Sequence, residues 1–283
     1  MLKQRVITAV ILLAILLPAL FYSNTLPFNL LVLAMLAAGG WEWGRLNHLG
    51  QTGAFTTAVL TLLLGLASWQ LGWLGQSHSL LWLVAGGAWV LGSVGLIKVG
   101  VPGWARIPLS IRLCGGILAL WAAGLAMMQA RKLGVNFLLS VLMLVWVADV
   151  FAYFFGRTFG LKFTKVKLAP SISPGKSWEG AWGGALGVLL LAFVWLWADR
   201  FLQTTTPSFY SKLFQQGWWL LLVAALFMAA MSVVGDLVES LIKRSAGVKD
   251  SSQLLPGHGG VLDRIDALLP TLPLAMMLTS LVQ

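Results

Sequence analysis

Acidic side chains are scarce in this sequence: nine Asp and Glu stand among 283 residues, beside three His and a single Cys. One cysteine excludes an intramolecular disulfide and a Cys-based metal cluster. Cys114 lies in an apolar run and reads as a buried, inert thiol. Three scattered histidines give a zinc site little support; His48 and His78 fall in loops and read as solvated. Charged residues make up only 10% of the chain, where a soluble domain carries about a quarter. What fills the sequence instead is apolar: 59% of residues are hydrophobic. They fall in blocks of about twenty, the length that crosses a hydrocarbon core. Fifteen Trp fit the same reading, because Trp favours the membrane–water interface.

Apolar blocks cover roughly residues 6–22, 27–46, 54–74, 79–97, 113–130, 135–156, 179–199, 217–243 and 265–282. Lipid offers the backbone no hydrogen bonds, so each block is predicted to be a helix. The fold class is an all-α polytopic membrane protein with about nine spans. The first block has a basic start and an apolar core like a signal peptide, but no small-x-small cleavage site follows. It reads as a retained first helix.

The basic residues orient the chain. With the N-terminus in the cytoplasm, fifteen Lys and Arg fall on the cytoplasmic side, from Lys3 and Arg5 to Lys249 and Arg264, and four on the other: Arg131, Lys132, Arg200 and Lys212. The positive-inside rule favours this arrangement, with the C-terminus on the opposite side. The net charge of +10 is therefore topological and does not point to nucleic acid.

The two halves differ. Residues 1–130 form an N-terminal transmembrane region whose one acid is Glu42. Flanked by Trp41 and Trp43, it reads as an interfacial anchor. Residues 131–283 hold the other eight carboxylates and two polar loops, 157–178 and 244–264. The spacings Gly40-xxx-Gly44, Gly180-xxx-Gly184 and Gly183-xxx-Gly187 predict close helix packing.

Three polar clusters stand out. In "ADVFAYFFGRTFG", Asp149, Tyr153 and Arg157 share one helix face. An acid there costs about 2.5–3.5 kcal/mol on insertion scales, so it needs a salt-bridge partner or a bound polar group. In "SISPGKSWEG", Gly175-Lys176-Ser177 resembles a P-loop ending, but Pro170 stands where that motif needs glycine. A turn feeding a helix start, with Ser173, Lys176 and Ser177 as donors, can still bind an anion; a capped helix is the plainer alternative. In the third cluster, Asp236, Glu239 and Lys243 share a helix face. Lys249, Asp250, the run Pro256-Gly257-His258-Gly259-Gly260, Asp263, Arg264 and Asp266 follow. Carboxylate oxygens suit Mg²⁺, which is held by one or two carboxylates together with substrate phosphates. Asp236 and Asp263 are the first choices as metal ligands, with Asp149, Glu239, Asp250 and Asp266 available for the same or a second cation. A salt-bridged re-entrant loop is the alternative, and His258 is equally readable as a turn residue.

The run from Ser240 to Asp266 resembles the signature of the phosphatidate cytidylyltransferases, or CDP-diacylglycerol synthases. It carries Ser240, Lys243-Arg244, Lys249-Asp250, His258-Gly259-Gly260, Asp263-Arg264 and Asp266. Ser173 to Gly180 is similar to the family's Ser-Pro-x-Lys-Ser/Thr-Trp-Glu-Gly element, and Asp149 with Gly156 to Gly160 to its Asp-containing helix end.

The resemblance implies an integral enzyme of the bacterial cytoplasmic membrane. It would make CDP-diacylglycerol and pyrophosphate from CTP and phosphatidate, depend on a divalent metal and act as a homodimer. Asp236, Asp263, Lys176, Lys249 and Arg264 would carry the chemistry. Ser173, Ser177, Lys243, Arg244, His258, Gly259 and Gly260 would join Lys176, Lys249 and Arg264 in binding substrate. A transporter is the main rival, because intramembrane acids mark ion pathways, but related clusters in two repeats are missing. A CDP-alcohol phosphotransferase would open on Asp-Gly with Ala-Arg two residues on, a pattern the sequence lacks.

Overall fold

The computed structural model describes residues 2–282; Lys3, one of the counted basic residues, has its side chain outside that description. Eleven α-helices follow in order among the described residues: α1 (Leu2–Phe21), α2 (Leu26–Leu46), α3 (Gln51–Gln70), α4 (Ser79–Trp104), α5 (Leu109–Leu133), α6 (Val135–Phe159), α7 (Trp178–Phe201), α8 (Phe209–Phe214), α9 (Trp218–Ser245), α10 (Leu262–Ile265) and α11 (Leu268–Ser280). Extended structure is confined to two isolated bridges, Ala169 with Ser173 and Leu255 with Gly259.

Eight of these helices are long and apolar enough to cross a membrane. They show large apolar side chains to their surroundings, for example Val10 and Ile11 on α1, Leu91 on α4 and Trp197 on α7. That is the arrangement expected where lipid, not water, is the outer solvent. Cys114 belongs to that outer surface: it is exposed, not buried. Its apolar neighbourhood in sequence signalled lipid rather than protein core.

The ninth apolar block departs from the expectation. It forms α11, a helix of 13 residues, only about 20 Å long at 1.5 Å per residue. The short α10 precedes it, and Leu268, Pro270, Leu272, Leu274 and Ala275 are buried. This block is apolar because it fills the interior of the bundle. Gly100, with φ +64°, also breaks α4 before its last turn.

Small residues set the tightest helix pairs, as the glycine spacings predict. A Cβ on Gly40 would meet Thr61 Oγ1 at 2.2 Å, and one on Gly44 would meet Thr57 Oγ1 at 2.4 Å. The threonines donate across to α2, Thr57 to the Gly40 carbonyl at 2.7 Å and Thr61 to the Leu36 carbonyl at 3.0 Å. In the α6–α7 pair, Gly180 and Gly184 sit 2.9 Å from the carbonyls of Ala152 and Ala148, measured to a built Cβ.

Contacts at the helix ends show how the chain alternates. At one end, Arg5 and Thr8 of α1 donate to the carbonyls of Gly257 and Pro256, and Ser245 of α9 donates to Val101 of α4. At the other, Arg131 of α5 donates to the Tyr22 carbonyl, Asn136 of α6 to Asp199 of α7, and Gln216 to Val282. The ends of α2, α4, α6 and α9 thus gather with the starts of α1, α7 and α10. Both polar loops lie at this end.

Candidate active site

Loop 160–177 is built by local hydrogen bonds. The Leu168 amide donates to the Lys176 carbonyl at 3.2 Å, and the Ser173 amide to Ala169 at 2.9 Å. Ser177 caps α7, its hydroxyl oxygen accepting from the Gly180 amide at 3.2 Å, which anchors the side chain at the helix start and leaves its O–H proton to donate. Glu179, buried in the first turn, accepts from the Phe163 amide at 3.1 Å and from the Thr164 amide and hydroxyl at 2.7 and 2.8 Å. It ties the loop to the helix start.

The turn delivers Lys176 to α9, where its ammonium pairs with Asp236 at 2.7 Å. Ser240 donates to the other oxygen of Asp236 at 3.2 Å. One turn further on, Lys243 sits between Glu239 and Asp263, 2.5 Å from each. Gly235 permits this assembly: a Cβ there would meet the Asp266 carbonyl at 2.6 Å and Pro270 at 2.8 Å. The missing side chain lets the start of the last helix dock on α9, which brings Asp266 to Asp236. Asp149 on α6 completes the group. Asp149, Asp236 and Asp266 lie within electrostatic reach of one another, with Lys176 and Arg264 beside Asp149 and Lys243 beside Asp266. The predicted one-face partners of Asp149 turn elsewhere, since Arg157 donates to the exposed Tyr153 hydroxyl at 3.2 Å.

Asp263 is densely held. Its Oδ2 accepts from the Gly260 amide at 2.7 Å and from the Ser251 hydroxyl and amide at 2.8 and 2.9 Å, while Oδ1 faces Lys243. Burial pushes this carboxyl up, but the Lys243 ammonium and the Gly260 and Ser251 amides outweigh it and hold it below the ordinary carboxylate range. Gly259 adopts φ +82°, which a β-carbon disfavours.

Glu42 corrects the sequence reading. It is not an interfacial anchor: its exposure is 0%. Its carboxylate accepts from the Ser252 hydroxyl at 2.5 Å, the Leu262 amide at 2.7 Å, the Val261 amide at 2.9 Å and the Ser251 hydroxyl at 3.2 Å. A Cβ on Gly260 would meet Ser251 Oγ at 2.0 Å and Glu42 Oε1 at 2.3 Å. These contacts account for the glycine without a ligand. The N-terminal half therefore supplies a residue to the heart of the polar end. A signal was present, since a lone acid in an apolar half must find buried donors.

The remaining predicted residues lie around this centre. Lys249, Asp250, Arg244 and Arg264 are exposed, and Ser173 is half-buried. His258 keeps a buried Nδ1 without a partner, while its amide donates to Leu255. His48 is exposed as expected, but His78 contacts the Trp73 carbonyl at 3.0 Å. Among the described residues, no three His, Cys, Asp or Glu side chains form a ready-made metal cage. The charge balance nevertheless fits a cation. Asp149, Asp236, Glu239, Asp263 and Asp266 gather around Lys176, Lys243 and Arg264. Carboxylates outnumber basic groups there, and Glu239 Oε1 is buried with no hydrogen-bond donor while its Oε2 faces the Lys243 ammonium at 2.5 Å. Hard oxygen donors in excess suit Mg²⁺ better than a soft metal.

The architecture defines an integral membrane protein in which the two polar loops and α9 bring carboxylates and basic groups together at one end of a helical bundle. Its sequence matches the model of the cytidylyltransferase family over residues 3–282, and the chain belongs to that family. It is 39% identical over 280 residues to the phosphatidate cytidylyltransferase of Pseudomonas aeruginosa PAO1, covering 96% of this chain and 95% of that protein. It is 38% identical over 292 residues to the phosphatidate cytidylyltransferase of Haemophilus influenzae Rd, covering 96% of each. The enzyme of that name from Staphylococcus aureus COL is 39% identical over 150 residues, 53% of this chain and 51% of the relative.

Proposed function

We propose that this chain is a phosphatidate cytidylyltransferase, converting CTP and phosphatidate to CDP-diacylglycerol and pyrophosphate. The full-length likeness to relatives of that name supports the reaction. The single structural observation that carries the site is the meeting of the Lys176 loop, α9 and the Asp263 loop through the pairs Lys176–Asp236 and Lys243–Asp263.

A phosphate oxygen of phosphatidate attacks the α-phosphorus of CTP. The bond from that phosphorus to the bridging oxygen breaks, and pyrophosphate leaves. A phosphate monoester is largely ionised near neutral pH, so the nucleophile needs little help from a base. Bringing two anions together is the harder task, and positioning with charge neutralisation meets it. Lys176, Arg264, Lys249 and Arg244 would draw and hold phosphates. Asp236, with Asp149 and Asp266 facing it, would hold Mg²⁺, and Glu239 and Asp250 remain for a second cation. When bound, the metal supplies positive charge that screens the triphosphate. Asp263 reaches a cation only by exchanging its Lys243 contact on Oδ1, because three donors occupy Oδ2.

The charge distribution supports a cytoplasmic position for this end, in a bacterial inner membrane, where CTP is supplied. Phosphatidate would reach it laterally, its chains left in lipid. The homodimer implied by the resemblance belongs to the same proposal and is checked by the mass of the detergent-solubilised protein.

A nucleotide panel with phosphatidate in detergent micelles, with and without Mg²⁺, tests the reading. Pyrophosphate release with CTP or dCTP but not ATP, and only with Mg²⁺, is the expected result. Absence of turnover with CTP, or metal-independent turnover, overturns it.

A further inference from the structure

Glu42 lies outside the three polar clusters of the sequence, yet it is the most enclosed carboxylate at the polar end. Its two oxygens divide their work. Oε1 accepts from Ser252 and the Val261 amide, and Oε2 from Ser251 and the Leu262 amide. The donors flank the turn 253–260 on both sides, so one side chain closes that turn at its base. Ser251 links this contact to Asp263: its hydroxyl lies 3.2 Å from Glu42 and 2.8 Å from Asp263, and its one proton serves a single acceptor at a time. Asp263 in turn faces Lys243, which faces Glu239. A continuous polar chain thus runs from α2 to the acids of α9.

We infer that Glu42 is a positioning residue of the active site. It fixes residues 251–262 so that Asp263, Arg264 and Asp266 are presented to Asp236 and Glu239. The inference rests on the cytidylyl-transfer reading for its kinetic consequence and on geometry alone for its conformational one. A carboxylate is specifically required. The amide of Glu42→Gln would turn a donor toward amides and hydroxyls that already donate, without changing the volume of the side chain. The α2–α3 pair is built elsewhere, on Gly40, Gly44, Thr57 and Thr61. Helix packing is therefore separable from the loop.

The experiment uses the purified full-length protein in detergent, as wild type, Glu42→Gln, Ser252→Ala and the double variant. Amide hydrogen exchange of residues 251–263 is followed without substrate or metal, and kcat, KM for CTP and the Mg²⁺ concentration for half-maximal rate are measured in parallel. Glu42→Gln should raise exchange in 251–263 at least about tenfold while α2, α3 and α9 stay protected. It should lower kcat by about 10- to 100-fold with KM for CTP changed less than threefold, the signature of disturbed geometry over lost binding. Ser252→Ala removes one donor and leaves the acid, so it should show a smaller effect of the same kind, less than additive with Glu42→Gln.

Unchanged exchange in the loop overturns the inference, as does a loosened loop with unchanged kcat. If Glu42→Gln unfolds the whole bundle, Ser252→Ala still decides: wild-type exchange and kcat in that variant overturn the assignment. Wild-type protein without CTP turnover would sink the proposed function instead, and the exchange comparison would still read the loop.

Discussion

Lys176 and Asp236 are joined by a 2.7 Å ion pair between a loop and the middle of a helix that the sequence keeps far apart. The pair fastens the α7 entry loop to α9 and sets a cation and an anion where the two substrates would meet. Asp236→Asn should lower kcat by about 10²–10³-fold, the scale of losing one preorganised electrostatic group. Reversing the pair, with Lys176→Asp and Asp236→Lys together, should recover folding but not turnover. A reversed pair with near-wild-type turnover would show that Lys176 and Asp236 serve structure alone.

Asp263 carries both structural and chemical weight. Asp263→Asn replaces an acceptor of several donors with a group that can accept at only one end, and turnover should be nearly abolished in a CTP-dependent assay. Its carboxyl is held low, so the sign of its pH effect is set. Its contribution is fully present above the unfolded value of about 3.9 and fades as pH falls through the lower folded value. With Asp266, whose carboxyl burial pushes up to about 7, replaced by Asn, exchange protection of residues 251–263, corrected for intrinsic rates, should therefore be level between pH 8 and 5. A collapse of protection already near pH 6 would contradict the Lys243 and amide contacts.

Gly235 has no room for a side chain. Gly235→Ala forces α9 away from the Asp266 carbonyl and Pro270, and overpacking of this kind costs about 1–3 kcal/mol. The thermal midpoint in detergent should fall, and kcat should fall with it because Asp266 moves relative to Asp236. A variant with wild-type midpoint and rate would mean that the junction before α11 is not docked as described.

Glu179 should act on one loop only. Glu179→Ala leaves the Phe163 and Thr164 amides without their acceptor and unties the loop from the start of α7. Limited proteolysis should then cut between residues 160 and 176 faster, with cleavage elsewhere unchanged. Equal cutting rates would refute the tether.

Much of the architecture was legible because lipid imposes a simple code. Long apolar blocks became helices, and the charge asymmetry placed both polar loops at one end. The small-residue spacings marked real close approaches at Gly40, Gly44, Gly180 and Gly184. The code fails where apolar sequence has two causes. Cys114 reads as core and faces outward, while residues 265–282 read as a full span and form a short interior helix. At the site, local spacing put Asp236, Glu239 and Lys243 on one face, and the structure keeps them there. That Glu42 needs buried donors is legible, but which donors is not, because its partners lie more than two hundred positions away. Tryptophan neighbours pointed to the interface, whereas burial among donors decided the outcome.

The brevity of α11 has a geometric consequence for how a lipid and a nucleotide can meet. The chain before it docks at Gly235 while α9 runs on to Ser245, so Asp266 stands about 15 Å along the axis below the end of α9, and Asp263 stands near that end beside Lys243. In the proposed reaction a phospholipid head group would meet this stretch of α9 at its own depth, without being lifted from its leaflet, while a nucleotide would descend from water only as far as its phosphates. Neither reactant would have to leave its solvent, and the chemistry would take place at the waterline between them.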